Sequence, residues 1–399
     1  MTNIAILGFG VVGGGVARLI KDNYKQVTAF GGDEINIKYI LDLRDFPGSE
    51  WEKKIVHTYD VIVDDPEVDT VIEVMGGSHP AYEYTVRALK SGKNVITSNK
   101  EVVANFGDEF LSLAKENCVC YRFEASVGGG IPVISPMISC VKQNKIREVR
   151  GILNGTTNYI LTKMFSFGES FENALSDAQS RGYAEKDPTA DIEGIDATRK
   201  IAILGAIATD RLADVDSIYR EGITAIRAKD VANAEKAGYK IKLLGRCMID
   251  GCDTYIMVAP FMIPEDKPLA TINGVYNAVE IIGEPIESVM FYGPGAGAGA
   301  TASAVVGDLM EIMRTGTSYA APEIKKAGHG TSFDSFISRH YVSVSNVCEC
   351  EINKQFGDVK FINKEGSLDF ITSRFSESDI KNRLNALGCN IESRIRILD

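Results

Sequence analysis

Over residues 1–130, short apolar runs alternate with stretches whose apolar positions recur at helical spacing. Ile4–Leu7, Ile35–Leu41, Thr70–Met75, Asn94–Thr97 and Val119–Phe123 read as strands, and Val11–Lys21, Ala81–Lys90 and Glu101–Glu116 as helices between them. Gly92 sits just beyond the second helix, where a left-handed cap residue is expected. Such βαβ alternation predicts an α/β fold that opens with a parallel, doubly wound sheet covered by helices on both faces. From about residue 146 to 300 the periodicity changes. Strands over Ile146–Leu153, Tyr239–Ile249, Thr254–Ile263 and Glu287–Gly293, with helices over Asn158–Phe165, Phe171–Ser180 and Ala197–Thr209, predict a mixed sheet in an α+β unit with its own core.

A glycine-rich turn, GPGAGAG, then feeds a helix over Thr301–Met313 that is expected to return to the first domain. Residues 315–335 are small and polar and suit a linker. In the tail, Ser376 and Asp379 have capping-box spacing, and Ile380, Leu384 and Leu387 form one stripe that Gly388 ends. Strands in LDFITSRF and NIESRIRIL flank that helix. The expected division is 1–135 with about 296–320 returning, then 136–295, then 338–399.

Composition narrows the function classes. At 399 residues, 45% hydrophobic and 24% charged, the chain has ample core and no apolar run long enough to span a bilayer. MTNIAILGFG lacks the basic and long apolar regions of a signal peptide and reads as a first strand. Cys118/Cys120 and Cys348/Cys350 lack CxxC spacing, so free thiols in a reducing cytoplasm are expected rather than a zinc site or a disulfide framework. A net charge of -11 argues against a nucleic-acid surface. It leaves room for an anionic cofactor, because local backbone N–H groups hold phosphates whatever the global sign.

The loop GFGVVG supplies such groups. Gly8, Gly10 and Gly13 follow the first strand and open a helix, with Phe9, Val11 and Val12 between them. In that context the first glycine allows the tight turn, the second allows close approach of a pyrophosphate, and the third lets the helix pack on the sheet. The second strand ends in LDLRDF. Asp42 stands where a carboxylate favouring the 2′-hydroxyl of NAD is expected, and Arg44 where a cation could meet the 2′-phosphate of NADP. Surface charge with neither role is the third possibility.

Farther along, GYAEKDPTADIEGIDATRK holds Glu185, Asp187, Asp191, Glu193 and Asp196 before an Arg-Lys pair. From Asp196 onward, Asp196, Lys200, Ile203, Leu204 and Ile207 share one helical face. A lysine on a core-facing stripe is unusual, since desolvation disfavours its charge and lowers its pKa. The bland reading is an i,i+4 ion pair at a helix start. The stripe and the neighbouring carboxylates favour a lysine that moves a proton, with Glu185, Asp191 and Asp196 holding a cationic or hydroxyl-bearing substrate. Lys100, just past a strand end in VITSNKEVVA, is marked by position alone and reads first as a solvated loop lysine. EASVGGGIP reads by itself as a flexible turn.

Taken together, GFGVVGGGV, VITSNKEVVA, FEASVGGGIPVI, GILNGTTNYIL, the long acidic stretch, YREGITAI, GYKIKLLG and YGPGAGAGATASAVVGDL resemble homoserine dehydrogenases over essentially residues 1–320, in the family's order and spacing. The resemblance implies a Rossmann-type domain, a catalytic and dimerising domain, and an NAD(P)-dependent oxidoreductase that interconverts L-homoserine and L-aspartate 4-semialdehyde on the route to threonine and methionine. It implies Lys200 as proton donor and acceptor, Lys100 as a second essential lysine beside the nicotinamide, and Glu185 and Asp196 as homoserine-binding acids that Asp191 supports. Asn154, Thr156 and Thr157 would lie near the substrate, and Gly182, Gly295 and Gly297 would line the cofactor. Glu124 with the backbone of Val127, Gly129 and Ile131 matches a monovalent-cation site, usually sodium. A homodimer or homotetramer is implied. The tail resembles a shortened ACT domain lacking the Asp-x-Pro-Gly turn, with a feedback or an oligomerising role. Two readings compete: aspartate-semialdehyde dehydrogenase, which needs a cysteine nucleophile that has no context here, and a nucleotide-sensing regulator without turnover.

Overall fold

The computed structural model describes residues 1–316, 321–327 and 331–399. Within the expected linker, residues 317–320 and 328–330 lie outside the described residues, as does the end of the returning segment. The chain divides into two compact units. One comprises Met1–Lys145, Ala202–Val215 and Gly293–Gly328; the other comprises Ile146–Ile201, Asp216–Tyr292 and His329–Asp399.

The first unit holds a parallel six-stranded sheet in the spatial order Ile55–Val56, Ile35–Leu41, Thr2–Leu7, Thr70–Glu73, Asn94–Thr97, Tyr121–Arg122. The order reverses between Thr2–Leu7 and Thr70–Glu73. That switch point, at the carboxyl ends of the strands, is where doubly wound sheets bind ligands. The helix Ala298–Thr315 packs on Val11–Asp22 and Tyr24–Gly31 and closes a core of Ile4, Ile6, Val16, Ile72, Val305 and Leu309. Each such side chain, fully buried, stabilises the fold by about 1.5–3 kcal/mol. Ala81–Lys90 has the expected bounds, and Gly92 takes φ +73° just beyond it. Inside the supposed linker, Lys325–Lys326 forms a short strand paired with Arg211–Leu212.

The second unit is built on a mixed sheet. Its hairpin runs from Tyr239↔Pro264 to Asp250↔Asp253, turning at Gly251. Lys145–Ile152 joins one side antiparallel, and Tyr276–Glu284 and Glu287–Pro294 extend that side. On the other side, Asp253–Pro264 pairs in parallel with Tyr219–Arg220 and with the last strand, Asn390–Ile397. The tail set apart by the sequence at 338–399 therefore continues the same sheet. Its elements run strand Ile337–Ser345, helix Glu349–Phe356, strands Lys360–Asn363 and Leu368–Ile371, the two-residue strand Phe375–Ser376, helix Glu377–Leu387, strand Asn390–Ile397. Ser376 caps the second helix by accepting from the Asp379 amide at 3.1 Å, and Gly388 ends it in the left-handed region.

One expectation fails here. Cys348 and Cys350, read as free thiols, are joined as a disulfide at the start of Glu349–Phe356, where the first turn brings their Cα atoms to 5.4 Å. The bridge spans two residues, so it constrains the unfolded chain little. The remaining six cysteines are free.

Candidate active site

In the first unit the glycine-rich turn is held from below. Gly8 takes φ +97°, and a Cβ on Gly13 would lie 2.0 Å from the Gly8 carbonyl oxygen, so no larger residue fits there. Gly10 stands as N-cap of Val11–Asp22. Phe9 and Val12 pack on the core, while Val11 is 75% exposed at the helix mouth.

Asp42 stabilises this turn. Its Oδ2 accepts from the Phe9 amide at 2.8 Å and from Arg44 Nη2 at 2.9 Å, and its Oδ1 from Arg44 Nε at 2.9 Å and the Arg44 amide at 3.0 Å. Four donors match the four lone-pair sites of a carboxylate. The Arg44 guanidinium holds the Asp42 carboxyl far below its usual range. Arg44 itself is largely exposed and lies over the Phe46 ring.

Lys100 is the first residue of Lys100–Glu116, at the carboxyl end of Asn94–Thr97. Asn99 caps that helix through Glu101 and Val102, and its Nδ2 donates to the Gly77 carbonyl at 2.7 Å. Beneath it, Glu73 is fully buried, accepting from Thr97 Oγ1 at 2.6 Å and from the Met75 amide at 2.8 Å, and burial pushes its carboxyl up. This polar support at the sheet's rim was not anticipated. Asparagine before a charged helix start is the one local signal for it.

The stretch read as a flexible turn is a packed loop. Glu124, Val127 and Ile131 are buried, and a Cβ on Gly129 would lie 2.6 Å from the Gly295 carbonyl oxygen. This close backbone contact joins the loop to the turn where Gly297, at φ +127°, caps Ala298–Thr315. Both Glu124 oxygens face amides, those of Val133 at 2.7 Å, Ile134 at 2.8 Å and Ser135 at 2.6 Å.

The second unit gathers most of the polar residues picked out in the sequence. Asn154 follows strand Lys145–Ile152 and caps helix Gly155–Phe167, its Oδ1 accepting from the Thr157 amide at 2.9 Å. That bond fixes which way the amide faces. Nδ2 therefore points outward and donates to Asp191 Oδ1 at 2.7 Å and Asp196 Oδ2 at 3.0 Å. The same Asp196 oxygen accepts from Lys200 Nζ at 2.7 Å, and Lys200 also donates to the Leu153 carbonyl at 2.8 Å. Lys200 is 8% exposed. Burial raises the Asp191 carboxyl, the nearby Asp196 adds to this, and the Asn154 bond opposes it.

Other residues stand apart from this knot. Thr157 is buried against Asn154, and Thr156 Oγ1 donates to the Tyr183 carbonyl at 2.6 Å, tying the helix to the acidic loop. Gly182, at φ +73°, and Glu185 lie on the exposed part of that loop, where Gln179 holds the Glu185 carbonyl. Glu185 is thus not one of the carboxylates that Asn154 bridges. The Leu153 carbonyl, a backbone atom, left no trace in the sequence. Among the described residues no three His, Cys, Asp or Glu side chains form a metal cluster.

Comparison with known proteins agrees with a doubly wound, nucleotide-binding sheet joined to a second domain. The family model for "Homoserine dehydrogenase, NAD binding domain" matches residues 8–124, and that for "Homoserine dehydrogenase" matches residues 132–310. The homoserine dehydrogenase of Bacillus subtilis is 38% identical over 387 residues, covering 94% of this chain and 85% of its own. That of Neisseria gonorrhoeae is 40% identical over 319 residues, 78% of this chain and 72% of its own. The crystal structure of a homoserine dehydrogenase from Thiobacillus denitrificans superposes with a TM-score of 0.92 at 31% identity, over 100% of this chain and 98% of its own. Both family models fall on the elements that carry the turn and the knot, and the likeness runs nearly end to end: the chain belongs to the homoserine dehydrogenase family.

Proposed function

We propose that the buried knot is the substrate site of an NAD(P)-dependent oxidoreductase that interconverts L-homoserine and L-aspartate 4-semialdehyde. The carrying observation is that one asparagine amide and one lysine ammonium converge on a single Asp196 oxygen within a buried site. Asp196, Asp191 and, from the exposed loop, Glu185 offer acceptors to the substrate's ammonium and hydroxyl. Thr156 and Thr157 hold the helix start that presents Asn154. As the neutral amine, Lys200 takes the hydroxyl proton when homoserine is oxidised, and as the ammonium it returns one to the aldehyde oxygen in reduction. Lys100 serves as the second lysine of the reaction. The nicotinamide cofactor, when bound, supplies the hydride chemistry.

For the cofactor, Gly8, Phe9, Gly10, Val11, Val12 and Gly13 receive the pyrophosphate at the helix mouth, with Gly182, Gly295 and Gly297 lining the remainder. NADP is the preferred form. With its acceptor sites occupied, Asp42 meets a ribose hydroxyl only by losing a partner, whereas exposed Arg44 has the charge a 2′-phosphate requires. A monovalent cation, sodium, fits the oxygen-only donors at Glu124, Val127, Gly129 and Ile131. Because amides already engage the Glu124 carboxylate, backbone carbonyls would do most of the holding.

Apart from the two-residue strand Phe375–Ser376, the tail runs β-α-β-β-α-β, an order that supports an ACT-like reading. A homodimer or homotetramer fits the edge strand Glu287–Pro294, which exposes Met290 and Tyr292. Among the described residues no helix is long and apolar enough to cross a membrane, and a cytoplasmic location is part of this reading. The test is spectrophotometric. With L-homoserine and NADP at alkaline pH, the chain should form reduced nicotinamide, and Lys200→Ala should lower kcat by about 10²–10⁴-fold while retaining nucleotide binding. Near-normal kcat in Lys200→Ala would remove the proton-transfer assignment.

A further inference from the structure

The acid-bearing loop is braced from a direction unrelated to the reacting groups. Arg396, on the last strand, is 1% exposed. Its Nε and Nη2 reach Glu377 at 2.6 and 2.9 Å, its Nη2 reaches Tyr219 Oη at 3.0 Å, and its Nη1 reaches Glu221 Oε2 at 2.7 Å. Its guanidinium lies over the rings of Tyr219 and Phe333, which stack on each other at 3.6 Å. A buried guanidinium with this many fixed partners leaves Glu221 a single position. The Glu221 amide donates to the Val258 carbonyl at 2.8 Å, locking the segment to the central hairpin.

The next residue presses on the loop itself. A Cβ on Gly222 would lie 2.2 Å from the Ile192 carbonyl oxygen, so the two backbones are in direct contact. The Ile223 amide donates to that same carbonyl at 2.9 Å, and Thr224 Oγ1 donates to Glu193 Oε1 at 3.2 Å. Ile192 ends the short helix Thr189–Ile192 that carries Asp191. An unbroken line of contacts thus runs from the last strand through Arg396, Glu221, Gly222 and Ile192 to the carboxylate that Asn154 holds.

We propose that Arg396 and Glu221 are positioning residues for homoserine binding, through which the C-terminal strand sets the placement of Asp191. The inference rests on Asp191 and Asp196 being the acids that meet the substrate. Steady-state kinetics on the full-length chain separate the two ideas. Glu221→Ala should raise KM for L-homoserine about tenfold, with a smaller change in kcat and none in KM for the nucleotide, because a small displacement of a binding group weakens the contact it makes. Gly222→Ala should do the same while leaving the Arg396 contacts in place. Glu221→Gln, which keeps an acceptor for Arg396, should stay within about twofold of wild type. If Asp191→Asn raises KM while Glu221→Ala and Gly222→Ala leave it unchanged, or lower activity only in step with folded protein, the brace is overturned and the acids keep their role. If Asp191→Asn leaves KM unchanged as well, the reading of the acids falls and the inference with it.

Discussion

Asn154 serves two ends with one amide, its oxygen capping a helix and its nitrogen joining two carboxylates that would otherwise repel. Asn154→Asp keeps the cap, since aspartate caps as well as asparagine, but replaces the bridging donor with a third negative charge. KM for L-homoserine should rise at least tenfold, with a melting temperature only modestly lower. The pH dependence follows with a definite sign. Asp191 already has a raised pKa, so as pH falls it is protonated sooner than an ordinary aspartate and loses its hold on an ammonium. The variant should show that rise in KM beginning at higher pH, because the opposing Asn154 bond is gone and a like charge has been added. Asp42 and Arg44 make a second prediction. Arg44→Ala should lower kcat/KM with NADP about tenfold and leave NAD unchanged or improved, as one charge-assisted contact is lost and Asp42 regains acceptor sites. A uniform fall with both nucleotides would instead mark Arg44 as a support of the turn.

Within the tail, the helix Glu377–Leu387 is pinned by its first residue. Glu377 is fully buried and bound by Arg394 and Arg396, with His340 at 3.9 Å. Burial, with the two arginines adding to it and Glu377 opposing, brings the His340 pKa down to about 3. Its ring is therefore neutral when folded, while the unfolded chain takes up a proton below 6.5. From there downward the unfolded chain binds the His340 proton and the folded chain does not, so this one group lowers stability by about 1.4 kcal/mol per unit until the folded ring titrates, while buried Asp308, its pKa raised to about 7, contributes with the opposite sign. Glu377 and Asp369 have depressed pKa values too, and their contribution is lost only below ordinary carboxylate pKa values. Chemical denaturation of wild type and His340→Gln between pH 6.5 and 5 should therefore show the variant gaining stability relative to wild type as pH falls, and a difference that does not change with pH would remove the His340 assignment.

Elements of this kind were partly legible. Ala81–Lys90 and Phe171–Ser180 were readable to the residue because each ends at turn residues and carries one apolar stripe. Tyr276–Glu284 escaped because both of its faces are covered: buried Asn277 and Glu280, the latter paired with Arg150 at 2.7 Å, break the alternation that marks a half-exposed strand. Tyr24–Gly31 and Ala228–Lys236 escaped because each is short, and the second buries little that is apolar, Val231 and Ala234. In the candidate site, Asp196 and Lys200 were visible by their spacing on a buried stripe. The partners that fix them, Asn154 Nδ2 and the Leu153 carbonyl, lie over forty residues away and leave no periodic mark.

The same limit governs the whole chain. A composition shift near residue 335 suggests a detachable tail, yet the pairing of Phe261 with Arg396 and of Met262 with Ile397 makes the tail part of one sheet, and no local pattern announces a parallel pair so distant in sequence. The consequence is physical. A chain ending at residue 327 would leave Tyr219–Arg220 on the middle of Asp253–Pro264 but turn its far end into an edge bearing Phe261, Met262 and Ile263, all fully buried in the intact protein. It would also remove Arg396 from Glu221 and Phe336 from the Arg246 guanidinium. An unprotected apolar edge recruits another strand, and a net charge of -11 spread over the chain is a weak defence against local pairing. The truncated chain should therefore melt at lower temperature and elute as larger species than the full chain in size-exclusion chromatography with light scattering. Its remaining soluble fraction should show a raised KM for L-homoserine, because the Ile192 segment has lost its brace. Unchanged melting and an unchanged elution profile after truncation would mean that the shared strand contributes little, and that the tail is the separable module its composition suggests.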